Sequence, residues 1–388
     1  MISSYKDKLT KTGPRKLLAL DGGGIRGMIA LEVLADIEKQ LQTRLGRGDD
    51  FVLADYFDYI AGTSTGAIIG TCLALGMRVD KITRFYEESG PAMFDKANLL
   101  ERFKRGKFRD VKLAARLQEM IREITGDPMA SLGTERLRTL LMMVLRNATT
   151  DSPWPVSNNP TAKYNSLERT NCNLHLPLWQ LIRASTAAPT YFPPETVTVG
   201  DTEFVFVDGG VTMYNNPAFQ LFLMATVEAY NLGWTAREKD MLVVSVGTGA
   251  NPKANADLAP DQMNLLYNAA SIPSALMFAA SNEQDFLCRV FGRCRVGDPL
   301  DREIHDMIEE RDLEKGFPGY KGPGDKLFTY LRYNAELSTE GLKALGVDHI
   351  KPEYVQQMDS VEHISKLQEV GRAVAKRVLI GHFEGFLS

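Results

Sequence analysis

Three short stretches of this 388-residue chain carry residue types that could act together on an acyl carbonyl. Gly62-Thr63-Ser64-Thr65-Gly66 is a G-x-S-x-G pattern between an apolar run and a helical pattern. That context predicts a serine on a sharp strand-to-helix turn, its hydroxyl exposed and Gly62 and Gly66 allowing the turn to close. Asp21-Gly22-Gly23-Gly24-Ile25-Arg26-Gly27 is a glycine-rich turn ahead of a helix. Backbone N–H groups of the loop Gly22 to Arg26, those of Gly23, Gly24 and Ile25 foremost, can be aimed at an oxyanion from a helix N-terminus. Arg26 either pins this loop and adds positive potential or is a surface arginine; the spacing fits both. Asp208-Gly209-Gly210 ends the apolar run Phe204–Val207 and offers a carboxylate base, with Gly209 and Gly210 letting other backbone come close.

A serine hydroxyl is a poor nucleophile until a neighbouring group accepts its proton. The usual acceptor is a histidine held by a carboxylate. The five histidines are His175, His305, His349, His363 and His382, and none lies in a glycine-rich turn or at a clear strand end. Asp208 is the more attractive base, provided that burial raises its pKa from the usual range near 4. A Ser-Asp-His triad using His305 stays open as an alternative. The glycine loop also contains Gly22-x-Gly24-x-x-Gly27, a dinucleotide-binding fingerprint. That fingerprint expects an acidic residue closing the second strand, about 20 residues on, to hold a ribose. Here that distance falls in a helix and polar loop, and the second strand ends in Gly62-Thr63-Ser64 instead, so the dinucleotide reading is set aside.

The elements that must hold these residues follow from periodicity. Lys16–Leu20 is an apolar run ending at the glycines, hence a buried strand. Met28–Leu45 has Ile29, Val33, Ile37 and Leu41 on one helical face. Tyr56–Ala61 reads as a second strand and Thr65–Leu75 as the helix behind it. Leu140–Leu145 suits a strand or a helix. Gly126–Gly133 and Thr149–Pro160 are rich in turn residues and read as loops. Pro177–Ala188 reads as a helix, Phe204–Val207 as a strand, Asn216-Pro217 as a helix start and Met241–Val246 as a strand. Strands alternating with helices predict a three-layer α/β/α domain over 16–250 with a mainly parallel central sheet. Residues 251–388 read as a mostly helical C-terminal extension, either regulatory or packed on the core.

Composition narrows the function classes. Hydrophobic content of 44% and charged content of 24% are ordinary for a globular chain, and a net charge of −4 gives no global field for nucleic acid. There is no uninterrupted transmembrane run, and residues 1–16 lack an apolar signal core, so a cytoplasmic protein is the expectation. Cys72, Cys172, Cys288 and Cys294 match no zinc spacing, so no metal or cofactor is expected.

In order and character the three motifs resemble those of the patatin-like phospholipase family, over about 16–249. The resemblance implies a patatin-like fold, Ser64 as nucleophile, Asp208 as sole base in a dyad without histidine, and Gly22 to Arg26 as the oxyanion loop. It also implies hydrolysis of glycerophospholipid acyl esters without calcium, at the inner membrane surface. Ala187-Ala188-Pro189-Thr190-Tyr191-Phe192-Pro193-Pro194 looks like a family segment near the site. Some bacterial members that the chain resembles are cyclic-dinucleotide-activated effectors in antiviral defence, so such an activator, a gated activity and a homo-oligomer are further expectations. Phe94–Arg116 interleaves Lys96, Arg102, Lys104, Arg105, Lys107, Arg109 and Lys112 with Leu99, Leu100, Phe103 and Phe108, which suits either an anionic bilayer surface or a solvated helix-loop-helix. A non-catalytic lipid-binding or signalling module is the alternative of a different class.

Overall fold

The computed structural model of the protein describes residues 4–94, 108–189, 192–250, 265–300 and 326–388. Among the described residues nine strands form one mixed sheet: β1 (Arg15–Leu20), β2 (Tyr59–Thr63), β3 (Leu140–Asn147), β4 (Ser152–Ser157), β5 (Glu195–Val199), β6 (Thr202–Asp208), β7 (Met241–Val246), β8 (Gly292–Val296) and β9 (Phe328–Tyr333). The order is β5-β6-β3-β2-β1-β7-β9-β8, with β4 alongside β3. From β3 across to β8 the strands run parallel, whereas β4, β5 and β6 are antiparallel to their neighbours.

The parallel strands β2, β7 and β9 are buried at every position. They are mostly apolar because helices cover both faces. Helix α1 (Gly27–Arg44) leaves the glycine loop and buries Ile29, Val33, Ile37 and Leu41, the face that the spacing predicts. Helix α2 (Thr65–Ala74) starts at Ser64 and is buried throughout. Helix α3 (Leu178–Ser185) packs on β3, β5 and β6, and α4 (Ala218–Thr226) packs on β1 and β7. Helix α5 (Leu265–Phe291) precedes β8, and α6 (Ile364–Ala375) packs on α1. Leu367, Val370 and Val374 of α6 are buried in that contact, at about 1.5–3 kcal/mol per fully buried side chain.

The structure departs from the sequence expectations at four places. β2 begins three residues late, because Leu53–Tyr56 forms a helical turn before it. Thr149–Pro160, expected as a loop, contains β4. Pro153 and Pro155 are two residues apart, so their missing N–H groups fall on the same edge, the one turned away from β3. β6 enters the sheet antiparallel, so Asp208 is not at the end of a parallel strand. Residues beyond 250 supply helices but also β8 and β9, and β9 pairs directly with β7. The sheet therefore runs across the boundary drawn at 250.

Candidate active site

One strand brings Ser64 and Asp208 together. β4 occupies one edge of β3 over Met142–Asn147. The other edge is shared: β2 pairs with Leu140–Val144, and β6 with Leu145–Asn147 from the opposite direction. Thr63 is opposite Val144 and Asp208 is opposite Leu145, so the C-terminal ends of β2 and β6 meet head to head. Ser64 Oγ donates a hydrogen bond of 2.6 Å to Asp208 Oδ2, across 144 positions of sequence. Gly209 makes the abutment possible, since a Cβ there would lie 2.2 Å from the Val144 carbonyl oxygen.

Ser64 is a non-glycine residue with φ 54° and ψ −122°, between β2 and α2. Such a conformation costs about 1–3 kcal/mol and persists only where the surroundings enforce it. Gly62 and Gly66 cross so closely that a Cβ on Gly62 would sit 2.0 Å from the Gly66 carbonyl oxygen. The Ser64 N–H donates to Ser185 Oγ at 3.0 Å, and that hydroxyl donates to the Val144 carbonyl at 2.7 Å. Ser185 thus ties the strained turn back to β3.

Asp208 is buried and fixed at three points. Its N–H donates to the Ala187 carbonyl at 2.9 Å, within the segment Ala187–Pro194. Oδ1 accepts from the Gly210 N–H at 2.6 Å, and Oδ2 from Ser64. Burial raises its pKa to about 6, against the opposing pull of the two hydrogen bonds and the Arg183 charge. A base of that strength is ionised at neutral pH and still accepts a proton readily.

The glycine loop reaches the same place, but fewer of its amides are available than the sequence suggests. Gly22 N–H donates to the Asn215 carbonyl, Ile25 N–H to that of Met358 and Arg26 N–H to that of Gly23. The amides of Gly23 and Gly24 have no such partner among the described residues. Thr248 Oγ1 holds the Gly22 carbonyl at 2.6 Å. Arg26 is buried rather than superficial; its guanidinium donates to the carbonyls of Gly23 (3.5 Å) and Gln356 (3.3 Å) and so pins the loop. Beneath it, Arg332 of β9 forms a two-pronged buried ion pair with Asp21, at 2.9 and 2.6 Å, and donates to Ser245 at 2.7 Å. Burial raises the Asp21 carboxyl above its ordinary range, with Arg332 opposing that shift.

Sequence reasoning missed Ser185, Asn215, Arg332 and Met358. Nothing local marks the serine, the arginine or the methionine; Asn215 is at least adjacent to the helix-start signal Asn216-Pro217. Of the histidines, His175 is exposed, His349 meets Glu369 at 2.8 Å, His363 lies against Tyr354 and His382 bonds Tyr333. His305, the triad alternative, lies outside the described residues. So does most of Phe94–Arg116; at its ends, Phe94 is buried against Tyr86 and Arg116 pairs with Glu119. Among the described residues no three His, Cys, Asp or Glu side chains converge as a metal site, and no helix is long and apolar enough to cross a membrane.

Known proteins resemble this chain in sequence. A family model described as patatin-like phospholipase matches residues 18–222. Patatin group J-1 of Solanum tuberosum is 29% identical over 253 residues, covering 61% of this chain and 60% of that protein. The chain thus spans less than two thirds of that relative's length. Patatin-like protein 2 of Oryza sativa subsp. indica is 30% identical over 317 residues, covering 72% of this chain and 74% of the relative. Among solved structures, VipD from Legionella pneumophila aligns with a TM-score of 0.38 at 14% identity, covering 92% of this chain and 67% of that one. The matched region runs from β1 to α4, taking in the glycine loop, Ser64 and Asp208, and the chain belongs to the patatin-like phospholipase family.

Proposed function

We propose that the protein is a serine acyl hydrolase that cleaves acyl esters of membrane phospholipids through a Ser64–Asp208 dyad. The 2.6 Å hydrogen bond between the two side chains carries the reading. Ser64 Oγ attacks the acyl carbonyl carbon while Asp208 Oδ2 takes its proton. The amides of Gly23 and Gly24 receive the oxyanion; one such donor is typically worth about 3 kcal/mol. Collapse expels the lysophospholipid alkoxide, which leaves with the proton from Asp208. Water then hydrolyses the acyl-enzyme. The acid–base work needs no metal or histidine.

Product analysis with defined phospholipids tests this reading. Wild type should release fatty acid and label with a fluorophosphonate at Ser64, whereas Ser64→Ala should do neither. Fatty-acid release by Ser64→Ala at the wild-type rate would refute it.

Gating belongs to the same proposal. Residues beyond 250 touch the oxyanion loop through Met358 and Gln356, so moving that segment would disturb the amides of Gly23 and Gly24. A cyclic dinucleotide is the activator class to titrate against the hydrolysis rate at a vesicle surface. A rate indifferent to every such nucleotide removes it.

A further inference from the structure

Asn215 lies against the Ser64–Asp208 pair yet takes no part in the acyl transfer written above. Its carbonyl accepts from the Gly22 N–H at 3.1 Å, and its Nδ2 donates to Ser281 Oγ at 3.2 Å. Backbone and amide are therefore both held. Oδ1 is buried and accepts no hydrogen bond among the described residues. Leaving a buried acceptor unmatched costs about 1–3 kcal/mol, so it calls for a reason.

The two glycines beside it show where Oδ1 points. A Cβ on Gly210 would lie 2.9 Å from Asn215 Oδ1 and 3.0 Å from Asp208 Oδ1. A Cβ on Gly22 would lie 2.5 Å from Asn215 Oδ1 and 3.3 Å from Ser64 Cβ. Oδ1 is thus close to both the base and the nucleophile. Asn215 and Asp208 each present an acceptor there. Two acceptors that near one another select a molecule with two donor hydrogens, and water is the reactant of ester hydrolysis that has them.

We propose that Asn215 Oδ1 holds the attacking water of the deacylation step, a role that rests on the serine hydrolase reading. One water hydrogen points to the Asp208 carboxylate and the other to Asn215 Oδ1, which leaves an oxygen lone pair for the acyl carbon. As the new C–O bond forms, Asp208 takes the first proton. The second stays on the oxygen. Collapse breaks the bond to Ser64 Oγ, which recovers the proton from Asp208, and the fatty acid leaves. An alcohol has one hydroxyl hydrogen and cannot satisfy both acceptors, so the site favours hydrolysis over transfer to alcohols.

The experiment compares wild type, Asn215→Ala and Ser281→Ala on a chromogenic acyl ester with added methanol. Three quantities are read: the fluorophosphonate labelling rate, the acyl-enzyme fraction by mass spectrometry of quenched samples, and the ratio of methyl ester to free acid. Labelling needs Ser64 and Asp208 but no water. Asn215→Ala should label within about threefold of wild type, accumulate acyl-enzyme, lose about tenfold or more in kcat and raise the ester-to-acid ratio several-fold. The ratio is set after acylation and does not depend on how much enzyme is folded. Ser281→Ala, which frees the amide to swing, should shift the ratio the same way by less, and it carries the test if Asn215→Ala does not fold. An unchanged ratio in the folded variants overturns the water-holding role. Failure of wild type to label at Ser64 would instead overturn the hydrolase reading beneath it.

Discussion

With a pKa of about 6, most Asp208 carboxyls are ionised at pH 7, the form that the proposed dyad needs to accept the Ser64 proton. Protonation removes the base, so kcat/KM should fall about tenfold per pH unit below 6. A profile flat from pH 7 to pH 4.5 would exclude Asp208 as the base. The same shift acts on stability with the opposite sign. A carboxyl whose folded pKa is raised stabilises fully below its unfolded value of 3.8, and that contribution is lost as pH rises through 6. The ionised form therefore burdens the fold by about 3 kcal/mol at pH 8. Asp208→Asn does not titrate. It should lose activity yet gain on wild type in urea unfolding at pH 8, with the gain shrinking towards pH 4. Equal stability differences at both pH values would mean that the carboxyl is not perturbed by burial. Ser185 supports the partner residue. Ser185→Ala leaves the Ser64 N–H without its acceptor and should cost about 1–3 kcal/mol of stability. Its kcat should fall more than its KM rises, because the Ser64 turn loosens while the approach to it is unchanged. An unaltered Tm and kcat would remove Ser185 as a support.

Among the elements, β3 sets the register of the site. Val144 and Leu145 are consecutive, so the ends of β2 and β6 can be no further apart than the strand allows. Gly209→Ala drives a methyl into the Val144 carbonyl and must push β6 away. The expected cost is about 2–4 kcal/mol in stability and at least 100-fold in kcat, since small displacements of a reacting pair are expensive. Activity near wild type would show that the head-to-head meeting is not what holds the pair. The two motifs that meet are legible in the sequence, because glycines beside Ser64 and Asp208 announce tight backbone at the ends of apolar runs. Their meeting along one strand edge is not. Strand direction is set by long-range pairing, and Phe204–Val207 reads the same whichever way it runs. β4 escapes for a local reason: Pro153 and Pro155 look like loop residues until one sees that both turn the same edge away from β3. The glycine loop is legible as a loop, but which amides stay available depends on Asn215 and Met358, both remote in sequence.

Across the whole molecule, the division at residue 250 becomes a testable statement about folding. β9 is the neighbour of β7, and its Arg332 supplies the charge that compensates Asp21 at the mouth of the glycine loop. In sequence Arg332 resembles a surface residue, because a charge within an apolar strand is rarely assigned to the interior. Removing one partner of a buried ion pair typically costs about 3–5 kcal/mol, a large part of the 5–15 kcal/mol that holds a domain together. A fragment of residues 1–250 would lose that partner. It would also expose the edge of β7 and strip α1 of the α6 face carrying Leu367, Val370 and Val374. It should therefore show no cooperative thermal transition and no fluorophosphonate labelling. Arg332→Met in the full chain isolates the charge, and restoring neutrality with Asp21→Asn in the same chain should recover part of the lost stability. A 1–250 fragment that unfolds cooperatively and labels at Ser64 would show that residues beyond 250 are an appendage after all, and that the sheet can close without β9.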